Sequence, residues 1–557
     1  MLYGVGDHGG GPTRRDLQAI ARMNDWPIFP NLQCSSLHGF FRAAEAQASG
    51  LPEVTGERNF VFPGCYTSQA RIKWANRHGE NTLYAAETAA VVGQRLAGVE
   101  VPHEGIDEAW RHLLFDQFHD ILPGSGTRDT SNYALGRAQE SQAAAAMARS
   151  NALRALGARV DTASLCSGLD ESGERSYKND VEAGRTMGAG VGYGAGTGGE
   201  SALGAGVTSD RAFLIYNPLP EARNEVIEVK LWDSELDPTQ LAVTGGGLDP
   251  RPIQVLDKGR YWAHEYKTVA FPVVVPALGY TTVLLSDRLA ELGLAREGVE
   301  DPWAGVGGSA RRLGPPDLCL ENDLIAARLD PASGGLVSLL DKRAGREWVP
   351  EGKLSGTFQF CVEADQGMTA WSIGQFLTSE TLGDGGKLEK VVDGPYVKIF
   401  RWTRRVSAST LELEITVRQG VPRIDYRLRV DWREMGSHES GIQHLRVCYP
   451  LAVTDPQPRY EIPFGSIHRD LLEGQEVPSQ RWADLAEPGG AGVVLANSSK
   501  YGFSVEDSEL RMTLLRASID PDPLPDLGEH EIAWSLLPHG DGWTVGQSVR
   551  AGERANV

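Results

Sequence analysis

A glycine-rich stretch divides this chain into two parts of opposite character, and no single regular fold can run across it. Between Arg185 and Gly206 nine residues are glycine and little could be buried, which predicts a flexible linker or surface insertion. Upstream, long alanine-rich segments carry helical spacing. Downstream, short β-rich runs follow one another with hardly a helix among them. Any fold must therefore join a helical part to a strand-built part through this hinge.

The upstream part begins with strand–loop–helix units of an α/β domain. Thr13 to Arg22 reads as a capped helix, Trp26-Pro27-Ile28-Phe29-Pro30 as a short apolar strand, and Ser35 to Gln47 as a second helix. Three long helical segments follow, Ser68–Ala97, Ile106–Leu122 and Ser131–Leu156, and predict a bundle. Downstream, strands are expected at 213–216, 226–229, 268–275 and 281–285, then after a second Gly/Pro break at 304–316. The later set is 324–329, 357–362, 397–402, 411–417, 424–430 and 442–447, which implies one or more β-sandwiches. Trp543-Thr544-Val545 also reads as strand.

Composition narrows the function. With 54 Lys+Arg against 74 Asp+Glu the net charge is −20, so the chain has no cation excess for nucleic acid or an anionic membrane. No stretch approaches the roughly 18 apolar residues that would span a bilayer. Met1 to Thr13 lacks the basic and apolar regions of a signal peptide. Cys34, Cys65, Cys166, Cys319, Cys361 and Cys448 stand singly, which points to reduced thiols and a cytoplasmic setting.

Three constellations could carry chemistry. Gly4-Val5-Gly6-Asp7-His8-Gly9 matches GxGxxG, but no acidic residue closes a second strand about 20 residues on, so a nicotinamide site is disfavoured. Asp7 and His8 nonetheless stand in a glycine loop of the kind in which α/β domains build sites. From Trp110 to Gly124 a helix is expected with Trp110, Leu113, Leu114, Phe118 and Ile121 inward. His112 and His119 then fall about 20° apart on the outer stripe, beside Asp116 and Asp120. Two imidazoles and two carboxylates on one stripe can offer metal ligands, although a solvated polar face is the plainer reading. The triplets His468-Arg469-Asp470 and His539-Gly540-Asp541 read as surface or turn residues.

Three longer motifs occur in order: Gly6-Asp7-His8-Gly9-Gly10-Gly11-Pro12-Thr13, Gly64-Cys65-Tyr66-Thr67-Ser68-Gln69-Ala70-Arg71-Ile72-Lys73 and Phe118-His119-Asp120-Ile121-Leu122-Pro123-Gly124-Ser125. They resemble the glycoside hydrolase family 38 α-mannosidases in their bacterial form. In the strand-rich part Tyr216-Asn217-Pro218-Leu219, Leu320-Glu321-Asn322-Asp323, Val430-Asp431-Trp432, the run Glu476 to Asp484 and Leu536-Leu537-Pro538-His539 resemble that family too.

The resemblance implies a multidomain α+β chain: the end of an α/β catalytic barrel over 1–62, a helical bundle over 63–165 and a Gly-rich linker over 166–210. A small β domain over 211–290, a linker over 291–316 and a large antiparallel β-sandwich region over 317–557 would follow. It implies a retaining glycosidase acting on α-mannoside oligosaccharides or glycans with a zinc ion. His119 matches a zinc ligand, Asp120 a residue that contacts the sugar, and Asp7 a position proposed for the general acid/base. The nucleophile and the His-x-Asp zinc pair of the family match nothing in this chain, so an incomplete, inactive portion of such an enzyme is expected. A non-catalytic glycan-binding β-sandwich protein, the same chemistry on mannosylglycerate, and a homo-oligomer stay open.

Overall fold

The computed structural model describes residues 4, 10–57, 61–162, 211–232, 236–261, 264–294, 318–470 and 474–556. The GxGxxG loop with Asp7, and the glycine-rich stretch, lie outside the described residues. The chain forms two compact units, Met1–Asn59 and Phe60–Val557.

In the first unit, Thr13 starts helix α1 (Arg14–Asn24) through a capping box: its Oγ1 accepts from the Asp16 amide at 3.2 Å, and Asp16 Oδ2 accepts from the Thr13 amide at 3.0 Å. Ser36 likewise caps α2 (Leu37–Glu45). Trp26 to Pro30, expected as a strand, is a turn in which the Phe29 amide donates to the Trp26 carbonyl at 3.1 Å. Two prolines in five residues deny the segment the amides a strand needs, and no described strand of this unit offers it a partner.

The second unit opens with α3 (Ala70–Ala97), α4 (His103–Asp116) and α5 (Arg128–Gly157). Alanine is what lets them approach closely. Ala86, Ala90, Ala145 and Ala148 are buried with Leu83, Ile106 and Leu113, and a Cβ on Gly93 would stand 3.0 Å from the Ala152 Cβ.

Two small sheets follow. One has the order Arg211–Asn217, Gly279–Ser286, Ala242–Gly245, Leu248–Pro252; the other Arg223–Trp232, His264–Val275, Gln254–Tyr261. Their shared core holds Leu231, Val243, Phe271, Val273, Val283 and Leu285.

The large β region is antiparallel throughout its nine-stranded and six-stranded sheets. Alternation decides its faces: along Ile424–Trp432, residues Ile424, Tyr426, Leu428, Val430 and Trp432 all enter the core. Phe358, Trp402 and Leu445 join them there, with the Phe358 and Trp402 rings stacked 5.6 Å apart. The chain then forms α6 (Val545–Arg554), where a strand was expected from Trp543-Thr544-Val545. Thr544 caps this helix with Gln547, and the Trp543 indole donates to Ser548 Oγ at 2.8 Å.

Candidate active site

Helix α4 ends at Asp116, not beyond Ile121, so His112 and His119 share no helical stripe. The inward face is Ile106, Ala109, Leu113 and Asp116, while Leu114 and Phe118, expected inside, are exposed. Early termination follows from the sequence after Asp116. The turns at Gln117 to Leu122 close on 3₁₀-type bonds, Phe118 N–H to the Phe115 carbonyl and Ile121 N–H to the Phe118 carbonyl, ahead of Pro123. His112 is covered instead of solvated, with its ring nitrogens 3.0 Å from Glu108 and 3.2 Å from Glu140. Asp116 is buried with no hydrogen-bond partner on either oxygen, and burial raises its pKa to about 6.

His119 and Asp120 are therefore exposed, on a turn from Gln117 to Gly126 whose far end, Gly124 to Gly126, is buried. The His119 ring leans on Phe118, 4.2 Å between centroids. The turn is seated on the first residues of α3. Lys73 Nζ donates to the Leu122 carbonyl at 2.8 Å, Gln69 Nε2 to the Gly126 carbonyl at 2.9 Å, and Ser131 Oγ to Gln69 Oε1 at 2.6 Å. Cys65, close enough to feel Lys73, Arg516 and Asp120, has its thiol pushed up by burial.

Below this segment lies a charged group buried in the large sandwich. Glu363, His444 and Arg516 are all nearly inaccessible. The Arg516 guanidinium donates to Glu363 Oε1 at 2.6 Å, to Ser68 Oγ at 3.2 Å, and to the Ser372 and Thr369 carbonyls. His444 Nε2 bonds the other Glu363 oxygen, and the Gly64 amide donates to the Trp371 carbonyl at 2.9 Å. The loop 364–374 and the turn 64–68 are thus tied to the sheet together. Glu363, Arg516, Gln69 and Lys73 had no assigned role from sequence, because a polar side chain gives no sign of burial until its neighbours are known.

The other triplets separate. His468 is exposed at a strand end. His539 is buried, against the expectation of a surface turn: its Nε2 lies 3.0 Å from Asp484 Oδ1 and its ring stacks on Trp543 at 4.5 Å. It ends the Gly528–His539 strand on the face away from the core that Ile532, Trp534 and Leu536 enter, and it is buried there because Leu537 on the same face packs with Trp543, Val549 and Ala551 as α6 covers it.

Comparison with known proteins bears on this arrangement. Residues 61–156 match the alpha mannosidase middle domain, and residues 320–524 the glycosyl hydrolases family 38 C-terminal domain. The chain belongs to glycoside hydrolase family 38. The Alpha-mannosidase 2C1 proteins of Mus musculus and Homo sapiens are 27% and 28% identical over 552 residues, 97% of this chain. The match takes in 44% of each relative, so this family 38 chain spans less than half their length. A family 38 protein from Enterococcus faecalis shares the fold, with a TM-score of 0.68 at 15% identity over 99% of this chain and 65% of that one.

Family 38 α-mannosidases are generally metal-dependent. Among the described residues, however, no group of three or more His, Cys, Asp and Glu side chains is arranged to hold an ion, so His119 belongs to no such group. One imidazole is too few where three or four protein ligands are usual, so the described residues do not fit zinc on their own.

Proposed function

We propose that this chain is the middle and C-terminal portion of a retaining α-mannosidase, and that His119 and Asp120 belong to its active site. The observation that carries the reading is the Phe118–Ser125 turn of a family 38 chain. It presents His119 and Asp120 to solvent while polar side chains beneath hold its backbone. In this reading Asp120 contacts hydroxyls of a terminal α-mannosyl residue, and Asp7 serves as general acid/base. Retention needs two carboxyl groups about 5–5.5 Å apart, one attacking and one protonating the leaving oxygen. The nucleophile and the remaining zinc ligands are then contributed by sequence outside this chain. Scattered reduced cysteines favour a cytoplasmic setting.

The test is hydrolysis of an aryl α-mannoside by this polypeptide, with and without zinc. Negligible turnover is expected, together with saturable binding of methyl α-mannoside that Asp120→Asn weakens. Turnover that disappears with Asp7→Asn would overturn the requirement for further sequence. Binding of mannoside unaffected at Asp120 would remove that residue from the site.

A further inference from the structure

Helix α3 starts in an unusual way. Gln69 stands at its N-cap position in the left-handed region, φ 51° and ψ 69°, though it is not glycine and is nearly inaccessible. Such a backbone persists only where the surroundings over-determine it, and it marks places where strain serves placement. An N-cap side chain normally accepts from the first helical amides. Here Asp526, reaching in from the far end of the chain, accepts from the Ala70 amide at 2.8 Å, and the Gln69 amide group is released to leave the helix altogether. Its two ends are spent on the turn and on the helix that follows it: Nε2 donates to the Gly126 carbonyl, and Oε1 accepts from Ser131 in the first turn of α5.

One turn further along α3, Lys73 is 3% exposed and sends its ammonium to the Leu122 carbonyl. A methionine would fill the same space without the cost of desolvating a charge. What Lys73 adds over an apolar side chain is a directed bond to one backbone oxygen. Gln69 and Lys73 thus grip the turn at carbonyls 122 and 126, on the side of His119 and Asp120 that leads into α5.

We propose that Gln69 and Lys73 are positioning residues that set the backbone of the 117–126 turn and thereby place His119 and Asp120. They bond its carbonyls only. The proposal rests on the reading of His119 and Asp120 as site residues, but its test does not use hydrolysis.

The experiment uses Gln69→Gly, which keeps the left-handed backbone at no steric cost and deletes only the side-chain bonds, and Lys73→Met, with Lys73→Arg as the restoring variant. Ser141→Ala serves as control, since Ser141 Oγ is equally buried in the bundle but donates to the Ala109 carbonyl at 2.8 Å, away from the turn. Amide exchange of the peptide spanning 117–126 should accelerate at least tenfold in Gln69→Gly and Lys73→Met, with strand peptides of the large sandwich unchanged. The His119 imidazole resonances should shift or broaden in both and return in Lys73→Arg. Ser141→Ala should move neither. Unchanged exchange and unchanged His119 resonances in the Gln69→Gly/Lys73→Met double variant would overturn the proposal, as would acceleration spread evenly over the whole bundle. Binding of methyl α-mannoside, followed in parallel, tests the site reading by itself: a loosened turn in a protein that never bound mannoside would leave the positioning standing and remove the sugar.

Discussion

Gly124 is pressed against Ser68 so closely that a Cβ would overlap the Ser68 carbonyl oxygen and stand 2.6 Å from its carbon. The backbone of Gly124 also has φ +80°, a region that L side chains rarely adopt. The turn that carries His119 and Asp120 therefore closes onto the segment before α3 through a position that tolerates only glycine. Gly124→Ala should cost about 2–5 kcal/mol, from left-handed strain and overlap with backbone that cannot rotate away. Urea unfolding of the variant decides it: a loss below about 0.5 kcal/mol would mean the two segments are not held together as described.

Removing one member of the buried Glu363–His444–Arg516 group should be far more damaging than its charge count suggests. Glu363→Gln leaves the inaccessible Arg516 guanidinium without a counter-charge and weakens its hold on Ser68 and the 369–372 carbonyls. A loss of about 3–5 kcal/mol is expected, with faster exchange at Gly64 and Ser372. If Glu363→Gln unfolds at the wild-type urea midpoint, the pair does not hold these loops.

The same group sets the acid limit of the fold. Burial drives His444 down to about 4 against the pull of Glu363, and drives His530 to about 4 as well. For both, the folded pKa lies below the unfolded value near 6.5, so the unfolded chain binds more protons and stability falls as pH drops from about 6.5 to 4. Glu363 is disfavoured as an anion by burial, but His444 and Arg516 outweigh this and hold it at about 2. Its contribution is intact above pH 4.5 and is lost as pH falls towards 2. Unfolding should therefore ease in two stages on acidification, and His444→Gln should flatten the upper stage. Asp116, raised to about 6, works in the opposite sense over the same window, so the histidine contribution is read as a difference: a pH dependence between 6.5 and 4.5 unaltered in His444→Gln would contradict the His444 assignment.

Much of the architecture was legible because alternation is a local signal. Ile424 to Trp432 points every second residue inward, and the expected strand at 424–430 lies within the observed Ile424–Trp432. Periodicity failed where a turn intervened. Projecting one helical phase from Trp110 to Ile121 put Phe118 inside and paired His112 with His119, whereas the helix stops at Asp116 and the phase is lost there. His539 failed for the opposite reason: a Gly-Asp pair after it signals a turn, yet the histidine lies on the strand face away from the core, which α6 and Trp543 bury. For the site, the Phe-His-Asp motif named His119 and Asp120, but the side chains beneath them depend on contacts between residues far apart in sequence, 49 positions for Lys73 and Leu122 and 57 for Gln69 and Gly126. No spacing within either motif carries that information.

Buried lysines carry the same trend into alkaline pH. Burial lowers Lys73 to about 7 and Lys500 to about 8, against an unfolded value near 10.4. Between these values the unfolded chain carries protons that the folded chain has released, so these two groups make stability rise with pH from about 7 to 10. Lys73→Met should reduce that rise, visible as a smaller difference between urea midpoints at pH 7 and pH 9.5. A rise of undiminished size in the variant would show that Lys73 stays fully charged in the fold.

A single buried side chain helps to hold the small sandwich to the large one. Gln254 is buried, and its side chain serves three backbone groups of the neighbouring strand: Nε2 donates to the Val397 carbonyl at 2.8 Å, and Oε1 accepts from the Tyr396 and Val397 amides, each at 2.9 Å. Val226, Leu256, Ala270, Tyr396 and Val397 form an apolar cluster around it that excludes water. Gln254→Ala deletes one side chain and strands the two buried amides of Tyr396 and Val397, each costing about 1–3 kcal/mol when left unsatisfied, while the Val397 carbonyl keeps the Gly394 amide at 3.2 Å. Water entering the space offsets part of that, so about 2–4 kcal/mol is expected overall, felt chiefly as detachment of the small sandwich. Limited proteolysis should then cut within 211–290 before the large sandwich opens, while Gln254→Glu, which keeps an acceptor for both amides but loses the donor, should fall between. If Gln254→Ala is cut no faster than wild type, the apolar cluster alone holds the two sandwiches and the glutamine is incidental.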